Sequence, residues 1–471
     1  MKKNYMMKSI KPYEKYKNSG IAWLGDIPES WEVVKLGSLF SERREKVSDT
    51  EFKPLSVTKN GIVPQLDNAA KTMHGDNRKK VCKGDFVINS RSDRKGSSGL
   101  AKEDGSVSVI NIALKPRDIN PKYSEYLLKN YFFKEEYYRF GRGIVADLWT
   151  TRYSEMKNME LPKTHSKEQE KIANFLDYKT AKIDRFIAKK KQLIKLLNEQ
   201  KAGIINDAVT KGLNPNAKTK PSGIEWLGDI PAHWEVKKLK GICKAFGRIG
   251  FRGYKTTDLV SRGEGAVTIS PSNMKYDFMT FEKCTYLSWD KYEESPEIKI
   301  FNDDIIMVKT GSTYGKVGIV KNLDEKATIN PQLLVLKEVG INPNYLYLLL
   351  KSNLVQTQVK TEVIGSTIPT ISQTKILNFR LVVPPRSEIE SILRSLEKET
   401  ATINKTITTI EKEITLVQEY RTALIAEAVT GKIDVRDYEI GSIEAEEALE
   451  ELEIMIDDLE KLEGLEEQDE N

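Results

Sequence analysis

The segment Ser19–Leu36, SGIAWLGDIPESWEVVKL, returns as Ser222–Leu239, SGIEWLGDIPAHWEVKKL, with fourteen of eighteen positions identical at an offset of 203. Such a duplication limits the possible folds sharply, because each copy must bury its own apolar face and both must do it alike. The flank repeats too, with Pro12, Lys15 and Lys17 matching Pro215, Lys218 and Lys220. INPKYSEYLLK from Ile119 recurs as INPNYLYLLLK from Ile341 at an offset of 222. Residues 167–210 match 389–430 at an offset of 220, with TAKI answering TATI and IINDAVT answering LIAEAVT. A weaker match sets Gly84–Ala101 against Asp303–Val320 at 219, so the offset grows by 16 after Leu36 and the second copy carries an early insertion.

The third repeat predicts a long helix in each copy. In the first, Ile172, Leu176, Ile183, Ile187, Ile194, Leu197 and Ile204 keep one face apolar. In the second, Ile392, Leu396, Ile403, Ile407, Ile410, Ile414, Val417 and Leu424 do the same. Pro162 and Pro384 stand before these segments, and only Gly203 interrupts either interior. At ~1.5 Å per residue each helix is about 66 Å long, and its narrow apolar seam demands a partner.

Between entry block and helix, GDFVINS, SVSVINIAL, DDIIMVKT and NPQLLVLK read as strands, and each NPxY block as a short helix opened by Asn-Pro. The expected fold class is mixed α/β (α+β): two α/β globules in tandem repeat, separated by a pair of long antiparallel coiled-coil helices and related by an approximate twofold rotation. The expected boundaries are an arm over 1–18, a first globule over 19–163, a first long helix over 164–212 and a linker over 213–221. A second globule follows over 222–385, a second long helix over 386–432, and an acidic tail over 433–471, expected to be an amphipathic helix. Trp23, Trp31, Trp226 and Trp234 are expected to pack each globule onto the helix pair.

At 471 residues the chain is long enough for two or more cores. Residues 441–471 hold fourteen acidic side chains and one lysine, a net of −13, so the first 440 residues carry +18 against +5 for the whole chain. A basic body suits a polyanionic partner. No apolar run approaches the ~20 residues that span a bilayer, and the basic N-terminal stretch lacks the apolar region of a secretory signal. Cys82, Cys243 and Cys284 are scattered, as suits a reducing compartment. A cytoplasmic location is expected.

The motifs that carry bond chemistry are missing. GSTYGKV at Gly311–Val317 is one residue short of a phosphate-binding loop and has Val where a magnesium ligand belongs. VVPPRS lacks both ends of the Asn/Asp-Pro-Pro-aromatic tetrapeptide of amino-methyltransferases, and FGRIGFRG lacks a strand–helix frame. His74, His165 and His233 are isolated, and Asp303–Asp304 reads as a turn. No catalytic residue and no metal ligand is assigned. Duplex readers need Lys and Arg for phosphates and a few polar side chains at base edges. The loop NSRSDRKGSSG offers Arg91, Arg94 and Lys95, and KTGSTYGK offers Lys309, Thr310, Ser312, Tyr314 and Lys316. Arg43, Arg44, Arg142 and Arg152 in the first globule, with Arg248 and Arg252 in the second, complete the DNA-binding candidates.

The entry block SGIxWLGDIPxxWEVxKL, the globule–helix–globule–helix order and the AVTKG/AVTGK helix ends resemble the specificity subunit of type I restriction–modification enzymes. The resemblance covers about residues 10 to 437. It implies two target-recognition domains, each reading one half of a split double-stranded DNA target. It also implies helices that dock two modification (methyltransferase) subunits, with restriction (motor-nuclease) subunits added for cleavage. No cofactor is expected in this chain; S-adenosylmethionine, and ATP with magnesium, belong to the implied partners, which together methylate adenine and cut DNA. Two other readings are a coiled-coil scaffold without a DNA role, set against the basic body, and a self-contained restriction enzyme, set against the missing catalytic motifs.

Overall fold

The computed structural model describes residues 11–65, 75–91, 94–143, 149–274, 279–364 and 368–439, with Phe251 placed by its backbone alone. Residues 1–10 of the expected arm and 440–471 of the expected acidic tail lie outside them. The chain divides into two compact units, Met1–Gln192 with Ile410–Asn471, and Leu193–Thr409. The long helices form where the seams predict them, over Ser166–Lys211 and Arg386–Val429. Each unit therefore holds one globule, the start of one long helix and the end of the other.

In the first unit the central sheet runs Ser98–Leu100, Phe86–Asn89, Asn111–Pro116, Phe40–Glu42, every pair antiparallel. Phe86, Val87 and Ile88 are buried in turn, the continuous apolar run of a strand covered on both faces. The entry strand Glu32–Lys35 pairs with Glu160–Lys163, the strand that leads into the long helix. Asn120 caps the helix Pro121–Lys129 by accepting from the Tyr123 amide, and proline at the first position has no amide to leave unpaired.

The second unit repeats this plan. Its central sheet runs Val317–Ile319, Ile305–Val308, Leu333–Lys337, Lys244–Gly247. The registers agree, with Asn89↔Asn111 in the first unit answering Val308↔Leu333 in the second. Glu235–Lys238 pairs with Arg380–Val383, and Asn342 caps Pro343–Lys351. The insertion builds a further sheet, Leu259–Val260, Thr285–Ser288, Gly265–Ile269, Ala327–Ile329, whose last pair is parallel. That sheet has a core of its own, including Val267, Ile269, Ile298, Ile306 and Ile329.

The same device holds helices to globule in both units. In the first, the Tyr123 hydroxyl donates to the carbonyl of Val429, and Gly431 follows the helix end at φ 72°. A Cβ on Gly431 would lie 2.4 Å from Pro28 Cδ and 3.2 Å from Trp31 Cζ3. In the second, Tyr345 donates to Val209 at 3.1 Å, and Gly212 at φ 79° has room for a Cβ only 3.1 Å from Trp234 Cζ2. A left-handed glycine ends each helix, and the entry tryptophan closes over it.

The helix seams are buried as far as each unit covers them. Ile172, Leu176, Ile183, Ile187, Ile414 and Val417 are buried in the first unit, where Lys190 pairs with Glu413 at 2.8 Å and Arg421 with Asp184 at 3.2 Å. As one helix number rises the other falls, so the segments run antiparallel. In the second unit Ile392, Leu396 and Ile403 are buried, while Ile194, Leu197 and Ile407 are half-buried. Trp31 and Trp234 are fully buried, as expected of packing residues, whereas Trp23 is half-buried and Trp226 is 50 % exposed. The expected tail boundary also moves: Ile433 and Val435 are buried, the Asp434 amide donates to the Lys11 carbonyl, and Tyr438 meets Phe175 edge-on. Residues 433–438 belong to the folded unit.

Candidate nucleic-acid interface

In the first unit, the loop after Phe86–Asn89 is fastened by backbone to a segment far along the chain. The Thr151 amide donates to the Ser90 carbonyl at 3.0 Å, and Thr150 bridges both Arg91 and Arg142. Trp149 anchors that segment by donating from Nε1 to the Tyr138 carbonyl at 2.8 Å. Arg152 follows directly, as the residue before the short helix Tyr153–Met156. Arg91, Arg94, Lys95, Arg142 and Arg152 are thus gathered on one exposed face. Lys95 pairs with Glu135 at 2.7 Å and lies over the Tyr138 ring; Glu155, against the opposing effect of burial, is held below the usual carboxylate range by the Ser154 hydroxyl and backbone amides, with Arg142 adding to them. The guanidinium groups of Arg91, Arg142 and Arg152 make no ion pair among the described residues. Exposed guanidinium groups on a loop held by backbone bonds suit a polyanion.

The second unit builds the same clasp from other side chains. The Ile371 amide donates to the Lys309 carbonyl at 2.9 Å, and Thr370 bridges both Thr310 and Ile364. Ser372 caps Gln373–Leu377, the counterpart of the helix after Arg152. Position by position, Arg91 answers to Thr310, Arg142 to Ile364 and Arg152 to Ser372. Lys309 is half-buried, and burial holds its ammonium below the ordinary lysine range with no hydrogen bond or ion pair among the described residues. Ser312 is exposed beside it.

Other sequence candidates are occupied within the fold. Arg43 binds Asp85 at 2.6 Å, and that carboxylate is buried. Arg248 is buried, donating to the Ile329 carbonyl and to Thr328 Oγ1, with burial lowering its pKa. Lys316 donates to the Met274 carbonyl at 2.6 Å, and Tyr314 packs on the second unit's main core. Arg252 contacts Glu297 at 3.4 Å, and exposed Arg44 pairs with Glu42 at 2.8 Å. Sequence reading missed Thr150, Trp149, Ile364, Ile368 and Thr370, because the two clasp segments share little beyond one threonine.

Among the described residues, no group of three or more His, Cys, Asp or Glu side chains is placed to hold a metal ion, and no helix is long and apolar enough to cross a membrane. Residues 231–416 match the family model of the type I restriction modification DNA specificity domain. The chain is 24 % identical over 432 residues to the type I restriction enzyme MjaVIII specificity subunit of Methanocaldococcus jannaschii, covering 87 % of this chain and 95 % of that one. It is 22 % identical over 376 residues to the StySPI specificity subunit of Salmonella potsdam, covering 75 % and 76 %. A chain from a solved structure of a type I R-M system superposes with a TM-score of 0.60 at 13 % identity, over 86 % of this chain and 99 % of that one.

Proposed function

We infer that this chain is the DNA-recognition (specificity) subunit of a type I restriction–modification enzyme. Each globule reads one half of a bipartite duplex target, the first through Arg91, Arg94, Lys95, Arg142 and Arg152, the second through Lys309, Thr310 and Ser312. The long helices and the repeated entry blocks form the frame on which two modification subunits dock, with restriction subunits joining for cleavage. The chain itself neither transfers a methyl group nor cuts DNA; S-adenosylmethionine, and ATP with magnesium, are bound by the partner subunits.

One observation carries this reading. Two units share sheet order, register, helix-end glycine, tyrosine latch and loop clasp, yet differ in the side chains at three equivalent clasp positions. Backbone bonds fix the clasp whatever its side chains, which frees those side chains to specify sequence. Arginine offers two parallel donors to guanine O6 and N7, and short hydroxyl or apolar groups suit other base edges.

The test is methylome sequencing of the host with and without this gene. A single split adenine-methylated motif should vanish on deletion and return with the gene. An unchanged methylome, in cells where the modification subunit is expressed, would contradict the assignment.

A further inference from the structure

The two most exposed large apolar side chains among the described residues are Ile364 and Ile368, each 64 % exposed. Both sit on the segment that closes the second unit's clasp, where Ile364 bridges Thr370 and Thr370 bridges Thr310. Phe301, nearly as exposed, lies under the Lys337 ammonium, and Trp289 packs on Tyr292 beneath Lys326. Among the described residues the two isoleucines have no such cover. Water contact with large apolar side chains is costly, so an exposed apolar pair on the clasp fits a ligand that presents an apolar group there.

Duplex DNA offers one apolar group on its major-groove base edges, the 5-methyl of thymine. The clasp position that presents Arg142 in the first unit presents Ile364 in the second. Lys309, the residue before Thr310, has an ammonium with no ion pair among the described residues and is free to take a phosphate. We propose that Ile364 and Ile368 read the 5-methyl group of thymine, so that the half-site bound by the second unit contains at least one A·T pair recognised through that methyl. The inference rests on the assignment of the clasp as the DNA face.

The experiment uses the chain assembled with its modification subunits and duplexes carrying its methylated motif. Each thymine of both half-sites is replaced in turn by deoxyuridine, which removes only the methyl. At least one replacement in one half-site should weaken binding about 3- to 5-fold, the effect of unburying one methyl. That loss should disappear in the Ile364→Ala/Ile368→Ala variant, whose thermal midpoint stays unchanged because both side chains are exposed. A half-site without thymine, or deoxyuridine losses that persist in the variant, would overturn the inference while leaving the DNA face standing. Binding by the wild-type assembly that ignores the motif altogether would overturn the DNA-face assignment, and the inference with it.

Discussion

The two units solve one structural problem with different polar accounts. Beneath the entry tryptophan of the first, Glu168 is buried and accepts from Trp31 Nε1 at 3.1 Å, from the Tyr13 hydroxyl at 2.6 Å and from Thr164. In the second, the corresponding Glu388 is half-buried and reaches His233 instead at 2.7 Å, and Trp234 Nε1 has no partner among the described residues. The first unit also carries a strap the second lacks, residues 431–438 lying over the arm, with Arg436 against the Tyr13 ring. Burial of Tyr13, with its hydroxyl hydrogen-bonded to Glu168, raises the phenol well above its ordinary range, so the hydroxyl stays a donor at neutral pH. Symmetry of fold does not require symmetry of energetics.

The largest expected asymmetry lies at the helix-end glycines. Alanine in the left-handed region costs ~1–2 kcal/mol at either site. At Gly431 the new Cβ also strikes Pro28 at 2.4 Å, whereas at Gly212 the nearest atom is 3.1 Å away. Gly431→Ala should therefore destabilise by about 3 kcal/mol and Gly212→Ala by about 1.5 kcal/mol, read from denaturant midpoints. Equal shifts would show that the first unit relaxes around its proline.

Glu168→Gln comes next. It leaves three donors competing for one carbonyl oxygen and should cost ~2 kcal/mol, while Glu388→Gln, in a half-exposed pair, should cost under ~0.5 kcal/mol. Comparable losses would mean that the His233 contact carries more than its exposure allows. At the proposed DNA face, Arg142→Ala should relax one base position by ~1.5 kcal/mol without touching the other half-site. Lys309→Ala should weaken all sequences alike and lower the salt slope by about 1, as for a phosphate contact. The tyrosine latches should show the smallest asymmetry. Tyr123→Phe and Tyr345→Phe should each cost about 1 kcal/mol, the shared device failing equally in both units.

What the sequence revealed was local and periodic. The seams at Ile172–Ile187 and Ile392–Ile414 fixed two long helices, and Asn-Pro fixed the caps at Asn120 and Asn342. What it hid was non-local. Arg43 and Arg248 have the composition of binding residues, but Asp85 and Thr328, which occupy them, come from distant parts of the chain. The parallel pairing of Gly265–Ile269 with Ala327–Ile329 joins segments about sixty residues apart and leaves no periodic trace. Trp23 and Trp226 look like Trp31 and Trp234 in sequence, and only burial separates them. The clasp segments around Thr150 and Thr370 differ at almost every side chain, because their geometry is kept by backbone bonds to the sheet.

The most direct test of the central claim is exchange of one globule alone. Residues 40–160 are replaced by the equivalent segment of a relative with a different target, leaving the entry strand, the long helices and the second unit intact. Sequencing of the methylated motif in cells should show one half-site changed, the other unchanged, and the gap between them the same. A motif altered in both halves would contradict the account, because the two clasps would then be reading the target jointly.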